Sequence, residues 1–387
     1  MRKRLFKLNV RKLLGICCCL GAGAMLFSTA LAFAGDTGPV LNKGKKWRIA
    51  MYEGGEYVDY QRNFIGLLTG LQNLGWIENK PLPTLRPDQT KELWAWLAKE
   101  GLKSDFIEFV ADAHYSASWD KAIRKTMAAE ILQRLANKKD IDLIIATGTW
   151  AGQDLANNQH STPVIVISCS DAVASKIITS PEDSGFDHVH ARIDPQRFER
   201  QIRIFHDIIG FKTLGVAHED SLSGRSISAI EKVRAVAKER GFEVKVCHSK
   251  NQTPDRAEAE ESVRVCYDGL MKEVDALYVT TQNGVNDNSL PGLVAMFNDR
   301  QIPTFAQYGS KYVEKGILMS ISRSDLSFVG QFYADTMAEI FNGTKPRALN
   351  QIFEAPPKIA INLNTAGMIG YDPPIDILSA ADEIFQE

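Results

Sequence analysis

The stretch LIIATGTWAGQDLAN (143–157) decides how the chain is read. Apolar and small residues run into Thr-Gly-Thr and continue at once into a helical pattern. A strand that stops at a glycine and turns directly into a helix is half of a β–α unit, and the turn presents free backbone N–H groups. It is not a nucleotide motif. Its two glycines stand four apart without the G-x-G-x-x-G order, and no Gly-Lys-Ser/Thr follows. The reading is a helix N-terminus after Gly148 with Thr149 placed to cap it, where free N–H groups can hold a carboxylate. Trp150, in the first turn, is expected to stack on a ligand.

The same unit recurs along the chain. Strands are read at 47–52, 106–112, 143–148 and 163–168, then at 213–219, 243–249, 275–282, 303–309 and 318–322. Helical spacing separates them: Phe64, Leu67, Leu68, Leu71 and Leu74 fall on one face of 60–74, and 118–138 reads as a helix capped by Ser118. Further helices are read at 197–209, 224–241, 256–272, 290–300 and 326–343. The ending gives one strand and two short helices. Alternating strands and helices imply parallel sheets with right-handed crossovers. Two successive series in 387 residues imply two lobes. The segment 78–105, proline-rich and carrying Trp94 and Trp96, breaks the rhythm and is read as an insertion with its own short helix.

Residues 1–34 read as a cleaved signal peptide: six basic residues, an apolar run, then Ala32-Phe33-Ala34. A membrane anchor is the alternative, disfavoured by the small residues that end the run. Ile16 before Cys17 does not fit a lipidation signal. Without this leader the chain has 39 basic and 47 acidic residues, a net charge of −8, which argues against nucleic acid as a partner. Export permits disulfides. Cys169, Cys247 and Cys266 remain; Cys247 and Cys266 read either as a pair or as two buried thiols.

Ligands of open α/β sheets sit beyond the carboxyl ends of the strands. Those ends carry YEGGEY (52–57), TGTWAG (147–152), SCSDA (168–172), HEDSLSG (218–224), TTQNGVND (280–287) and QYGS (307–310). Hydroxyls, amides, carboxylates and aromatics of this kind suit a small polar or amphipathic ligand. The expected contacts are Tyr52 and Trp150 for stacking, and Gly148 with Thr149 for an anion. Glu53, Ser170, Asp171, Glu219, Gln282 and Asn283 are expected to hold polar groups, with Asp171 or Glu219 facing a ligand amine and Tyr308 nearby. No metal or cofactor is expected: His188-Val189-His190 lacks further ligands at useful spacing, and His218, Asp220 and Ser221 are too close in one loop for a hydrolase triad.

Several stretches together resemble the solute-binding proteins of ABC importers with a type I periplasmic-binding-protein fold, and among them the group that includes tryptophan- and tyrosine-type binders. They are GLLTGLQNLGW (66–76), DLIIATGTWAGQDLAN (142–157), TPVIVISCSDAVASKII (162–178), DALYVTTQNGV (275–285), IPTFAQYGSKYVEKGILMSIS (302–322) and INLNTAGMIGYDPPIDILSAADEI (361–384). The resemblance implies two Rossmann-like lobes, parallel sheets flanked by helices, joined by three hinge crossovers. It implies a first lobe of 47–192 plus 318–345 and a second of 193–317 plus 346–387. It carries ligand-holding roles onto Gly148, Thr149, Asp171 and Asn283. Trp150, Gln282, Ala172 and the loop His218-Glu219-Asp220-Ser221 depart from the usual pattern. The function expected is that of a periplasmic, monomeric receptor that hands a small ligand, such as an aromatic amino acid or related carboxylate, to an ABC permease. The alternative is a ligand sensor that signals to a membrane kinase or cyclase.

Overall fold

Each apolar strand needs cover on both faces, and the helices between strands supply it. The computed structural model describes residues 36–86, 89–99, 101–323, 326–354 and 357–386, so the leader read at 1–34 lies outside the described residues. The chain begins β1 (Trp47–Glu53), α1 (Val58–Asn73), α2 (Thr90–Ala98), β2 (Ile107–Ser116), α3 (Lys121–Gln133), β3 (Leu143–Thr147), α4 (Gly148–Leu155), β4 (Val164–Ile167) and β5 (Val189–Ala191). It continues α5 (Arg197–Ile209), β6 (Thr213–His218), α6 (Leu222–Ser228), α7 (Ile230–Arg240), β7 (Glu243–His248), α8 (Arg256–Leu270), β8 (Ala276–Val279), α9 (Leu290–Asp299), β9 (Thr304–Ala306), α10 (Ser310–Glu314) and β10 (Met319–Arg323). It closes with α11 (Leu326–Phe341), β11 (Pro357–Asn362), α12 (Leu363–Met368), α13 (Ile375–Ala380) and β12 (Glu383–Phe385).

The first sheet has the order β2-β1-β3-β4-β5, all parallel. The second has the order β12-β11-β10-β9-β8-β6-β7, parallel except for the β10–β11 pair. In the first sheet the winding reverses between β1 and β3, and in the second between β6 and β8. Those are the two points where a crevice opens beyond the strand ends. Along β1 the side chains alternate between two cores. Ile49 and Met51 join Phe64, Trp94 and Tyr333 on one face, while Ala50 and Tyr52 join Trp150 and Ile177 on the other. The second sheet is covered in the same way, by Phe205, Val233 and Ile369 on one face and Val263, Tyr267 and Phe297 on the other.

The chain passes between the lobes three times: from β5 to α5, from β10 to α11, and from α11 to β11. Two of these passages run side by side, with Ile193 N–H donating to the Gln351 carbonyl and Phe353 N–H to the Ile193 carbonyl. The lobe boundaries differ from those expected. β10, read in the first lobe, pairs with β9 and β11, and its Met319 and Ile321 are buried in the second core. Only α11 returns, placing Val329, Tyr333, Met337 and Phe341 in the first core. The segment after it stays there: Arg347 pairs with Asp183 and Asp187 beside β5. The passage back to the second lobe therefore lies beyond residue 346, where the sequence reading placed it.

Other differences are local. Ser118 is not a cap. It and Trp119 are left-handed, with φ of 51° and 56°, and Asp120 caps α3 by accepting from the N–H groups of Ala122 and Ile123. The helix read at 224–241 is two helices, broken at Ala229 with φ of 54°. β5 and β12, each three residues long, were too short to show a period. The segment read as an insertion does contain a short helix, α2, and Trp94 on it is 1% exposed against Phe64 and Phe109. Cys247 on β7 and Cys266 on α8 form a disulfide, and Cys169 is a buried free thiol.

α11 reaches the first lobe by backbone contact. A Cβ on Gly330 would stand 2.3 Å from the backbone of Gly66 in α1. Gly330→Ala is expected to lower stability by about 1–3 kcal/mol through this overlap. Equilibrium denaturation of the variant against the parent measures it, and an unchanged midpoint would show that α11 can shift at no cost.

Candidate functional site

The loops after β1 and β3 face those after β6 and β8 across a cleft. At its centre lies a cavity of about 40 Å³. Its first-lobe wall is aromatic and hydroxylic: Tyr57, Tyr60, Trp119, Thr149, Ser168 and Ser170. Its second-lobe wall is mostly amide: Asn251, Gln252, Thr281, Gln282 and Asn283, with Ile227 as the apolar member. Two larger cavities adjoin it. One, of about 220 Å³, is lined by Asp59, Arg62, Arg197, Tyr308 and Lys311. The other, of about 700 Å³, is lined by Glu53, Glu56, His114, Trp119 and Tyr312 among others. Tyr57 borders all three.

Trp119 is the aromatic that the sequence reading missed. Its ring lies flat on the glycine pair after β1. A Cβ on Gly54 would come within 2.9 Å of it, and one on Gly55 within 2.5 Å. Its N–H groups are spoken for: the backbone donates to the Gly54 carbonyl at 2.8 Å, and the indole Nε1 to the Glu56 carbonyl at 3.0 Å. Behind it, edge-on at 5.6 Å, stands Trp150. The Arg124 guanidinium covers the Trp150 ring at 4.6 Å and pairs with Asp154, whose other contact is the Tyr52 hydroxyl donating at 2.8 Å. Tyr52 and Trp150, expected to stack on a ligand, instead form this supporting layer. They are 0% and 1% exposed and border none of the cleft cavities. The direction of Tyr52 follows from strand alternation, since it shares a face with Ala50.

Gly148 stands under Tyr60. With φ of 86°, it leaves room for the Tyr60 hydroxyl, which a Cβ would meet at 1.9 Å. α4 begins at Gly148, so Thr149 lies inside its first turn rather than capping it. Thr149 Oγ1 is 3.7 Å from the Cys169 sulfur and faces the central cavity. Ser170, Gln282 and Asn283 also line that cavity. Gln282 is itself fixed, accepting from the Ser249 hydroxyl and donating to the Ala217 carbonyl.

The two carboxylates expected to meet a ligand amine do not line the cleft. Asp171 accepts from the N–H groups of Val173 and Ala174, with Lys232 at 3.8 Å. Glu219 accepts from the N–H groups of Asn251 and Gln252, which holds those two cleft residues in place. Nor do the hydrolase elements assemble. Ser221 caps α6 by accepting from Gly224 N–H, and His218 Nδ1 lies 2.8 Å from the carbonyl of Glu219. His188 packs edge-on against His160, while His190 is bonded to the Asn350 carbonyl.

The lobes touch directly at Tyr308. Its hydroxyl accepts from Arg62 at 2.6 Å and donates to Asp59 at 2.8 Å, both on α1. A second contact joins Ser175 and Ser226, whose hydroxyls are 2.6 Å apart. Burial raises the pKa of Asp59 and lowers those of Arg197 and Lys311. Glu53, 1% exposed with the Thr90 hydroxyl at 2.5 Å, is pushed by burial to about 8. His114, 3.2 Å from the same hydroxyl, is driven by burial down to about 4.

The sequence matches the family described as ABC transporter substrate binding protein over residues 98–385. The chain belongs to that family. It is therefore a substrate-binding component and not an enzyme, and its fold is that of the type I periplasmic binding proteins. A domain solved in complex with L-Trp from Streptococcus pneumonia is similar, with a TM-score of 0.65 and 20% identity over 88% of this chain and all of that one. A conserved domain protein from Vibrio cholerae gives 0.64 and 19% over the same shares. A ligand-free, open substrate binding protein with adhesive properties from Clostridium difficile gives 0.55 and 18%, again over 88% and 100%. No curated protein sequence matches the chain. Among the described residues, no helix is long and apolar enough to cross a membrane.

Glu53 gives a pH test. The unfolded chain releases this proton near the usual carboxylate value of 4.5, while the folded state keeps it to about 8. Stability from this group is thus full below the lower value and is lost as pH rises towards the upper one. Glu53→Gln is expected to gain on the parent by more than about 1 kcal/mol between about pH 5 and pH 8. Denaturant midpoints at the two pH values read the difference. A constant gap would mean that Glu53 is ionised in the folded protein.

Proposed function

We propose that the protein is the exported receptor of an ABC importer. It acts as a monomer in the periplasm, captures a small amphipathic ligand between its lobes and delivers it to an inner-membrane permease. The observation that carries this reading is the pairing of walls at the central cavity. Three rings, Tyr57, Tyr60 and Trp119, offer apolar faces from one lobe, and four amide side chains face them from the other. A ligand that stacks on the first wall and hydrogen-bonds the second binds the closed arrangement better than an open one, and so drives closure. An aromatic amino acid or a related carboxylate has the required shape, and a similar structure was solved with L-Trp.

The residues proposed to touch the ligand are Tyr57, Tyr60, Trp119, Thr149, Ser170, Gln282 and Asn283. Tyr52, Trp150, Asp171 and Glu219 support them from behind. A thermal-shift and calorimetric panel of amino acids, organic acids, sugars and peptides tests the reading, with small-angle scattering to detect compaction on binding. Absence of any shift across the panel would end it. Trp119→Ala is expected to weaken the best ligand about tenfold or more, since a ring-on-ring contact is lost along with its buried area. Trp150→Ala is expected to cost mainly stability, about 3–5 kcal/mol by melting. A larger loss of affinity than of stability at Trp150 would reverse the two roles.

A further inference from the structure

The cavity of about 220 Å³ beside the central one carries an unbalanced charge. Arg62 comes from α1 of the first lobe, while Arg197 opens α5 and Lys311 lies in α10, both in the second. The one acid on its wall is Asp59, which the Tyr308 hydroxyl already occupies. Arg62 and Arg197 form no ion pair among the described residues. Arg197 donates to the Gln307 carbonyl at 3.3 Å and lies 4.9 Å from the Phe198 ring. Lys311 stands 3.6 Å from Asp287, which Lys315 holds more closely at 2.7 Å. Half-buried cations in such an arrangement gain from a ligand anion, and a guanidinium offers it a two-pronged fit.

The opposite charge has no comparable place. Asp171 and Glu219 are tied to backbone N–H groups away from the cavity. Of the acids on the larger cavity, burial keeps Glu53 protonated at neutral pH, Glu56 is exposed, and Asp287 is held by Lys315. An ammonium drawn into the central cavity would meet ring faces, hydroxyls and amides but no carboxylate, which a desolvated cation needs most. The α4 N-terminus is a poorer anion seat than the sequence implied, because the Tyr60 hydroxyl covers Gly148.

We propose that the ligand is a net organic anion, with an apolar or aromatic body against Trp119 and Tyr57 and its carboxylate between Arg197, Arg62 and Lys311, and that it carries no ammonium group. This rests on the receptor reading above. It separates a simple acid from the amino acid of the same skeleton.

Calorimetry on the purified protein with matched probes tests it: indole-3-propionate, its primary amide, L-tryptophan and tryptamine, and the corresponding phenyl series. The acids are expected to bind about tenfold or more tighter than the amino acids, and the amines not at all. Arg197→Gln should weaken the acids about tenfold or more and the amides less than about threefold, with Arg197→Lys between. Circular dichroism and melting check that each variant folds, and Arg62→Gln gives the same acid-to-amide comparison if Arg197→Gln does not. An amino acid that binds as tightly as its acid overturns the proposal, as does an equal loss of acid and amide in the variants. Binding of sugars alone would overturn it and leave the receptor intact. Binding of nothing would sink both.

Discussion

The contact between Gly66 and Gly330 organises the molecule. Two helix backbones that meet without an intervening side chain commit α11 to the first lobe, although the strand before it belongs to the second sheet. The chain must then leave the second lobe and return to it, which turns a single connection into three. Two of the three run side by side, joined by backbone hydrogen bonds at Ile193. Across that joint the two winding-reversal points stand on either side of the cleft.

At those points the wall is built in layers. Trp119 is positioned by two consecutive left-handed residues, a conformation that costs energy in residues with a side chain and persists only where the surroundings hold it. Here the holding is visible: a glycine pair below the ring, two hydrogen bonds, and the sequence Trp150, Arg124, Asp154 and Tyr52 behind it. In the second lobe Asn251 and Gln252 are held in the same manner, by the Glu219 carboxylate that accepts from their N–H groups.

How much of this could be read in the sequence follows from what each signal encodes. Periodicity reports which face is apolar, so α5 was legible to the residue, and the strand-end loops followed from the parallel winding. The hydroxyl and amide members of those loops, Thr149, Ser170, Gln282 and Asn283, line the cavity. Nearness to a strand end says nothing about which face a ring takes, and Tyr52 and Trp150 point into the core. Trp119 hid in a turn that looked like a helix start, although the Gly54-Gly55 pair signalled that something bulky lies close. Asp59, Arg62 and Arg197 lie near the starts of α1 and α5, outside the strand-end loops read as the site. Their role depends on the other lobe, which no local pattern describes.

The disulfide has a consequence for the cleft. Cys247 and Cys266 close a ring of chain, and Asn251 and Gln252 lie within it. A covalent ring of this size loses about 3 kcal/mol worth of disorder in the unfolded state before any ligand arrives. The second-lobe wall is thus preorganised by chemistry rather than by the ligand, so recognition there spends little on ordering a loop. It also ties that wall to where the chain matures: a reducing compartment leaves the loop to its hydrogen bonds with Glu219, and an oxidising one adds the covalent ring.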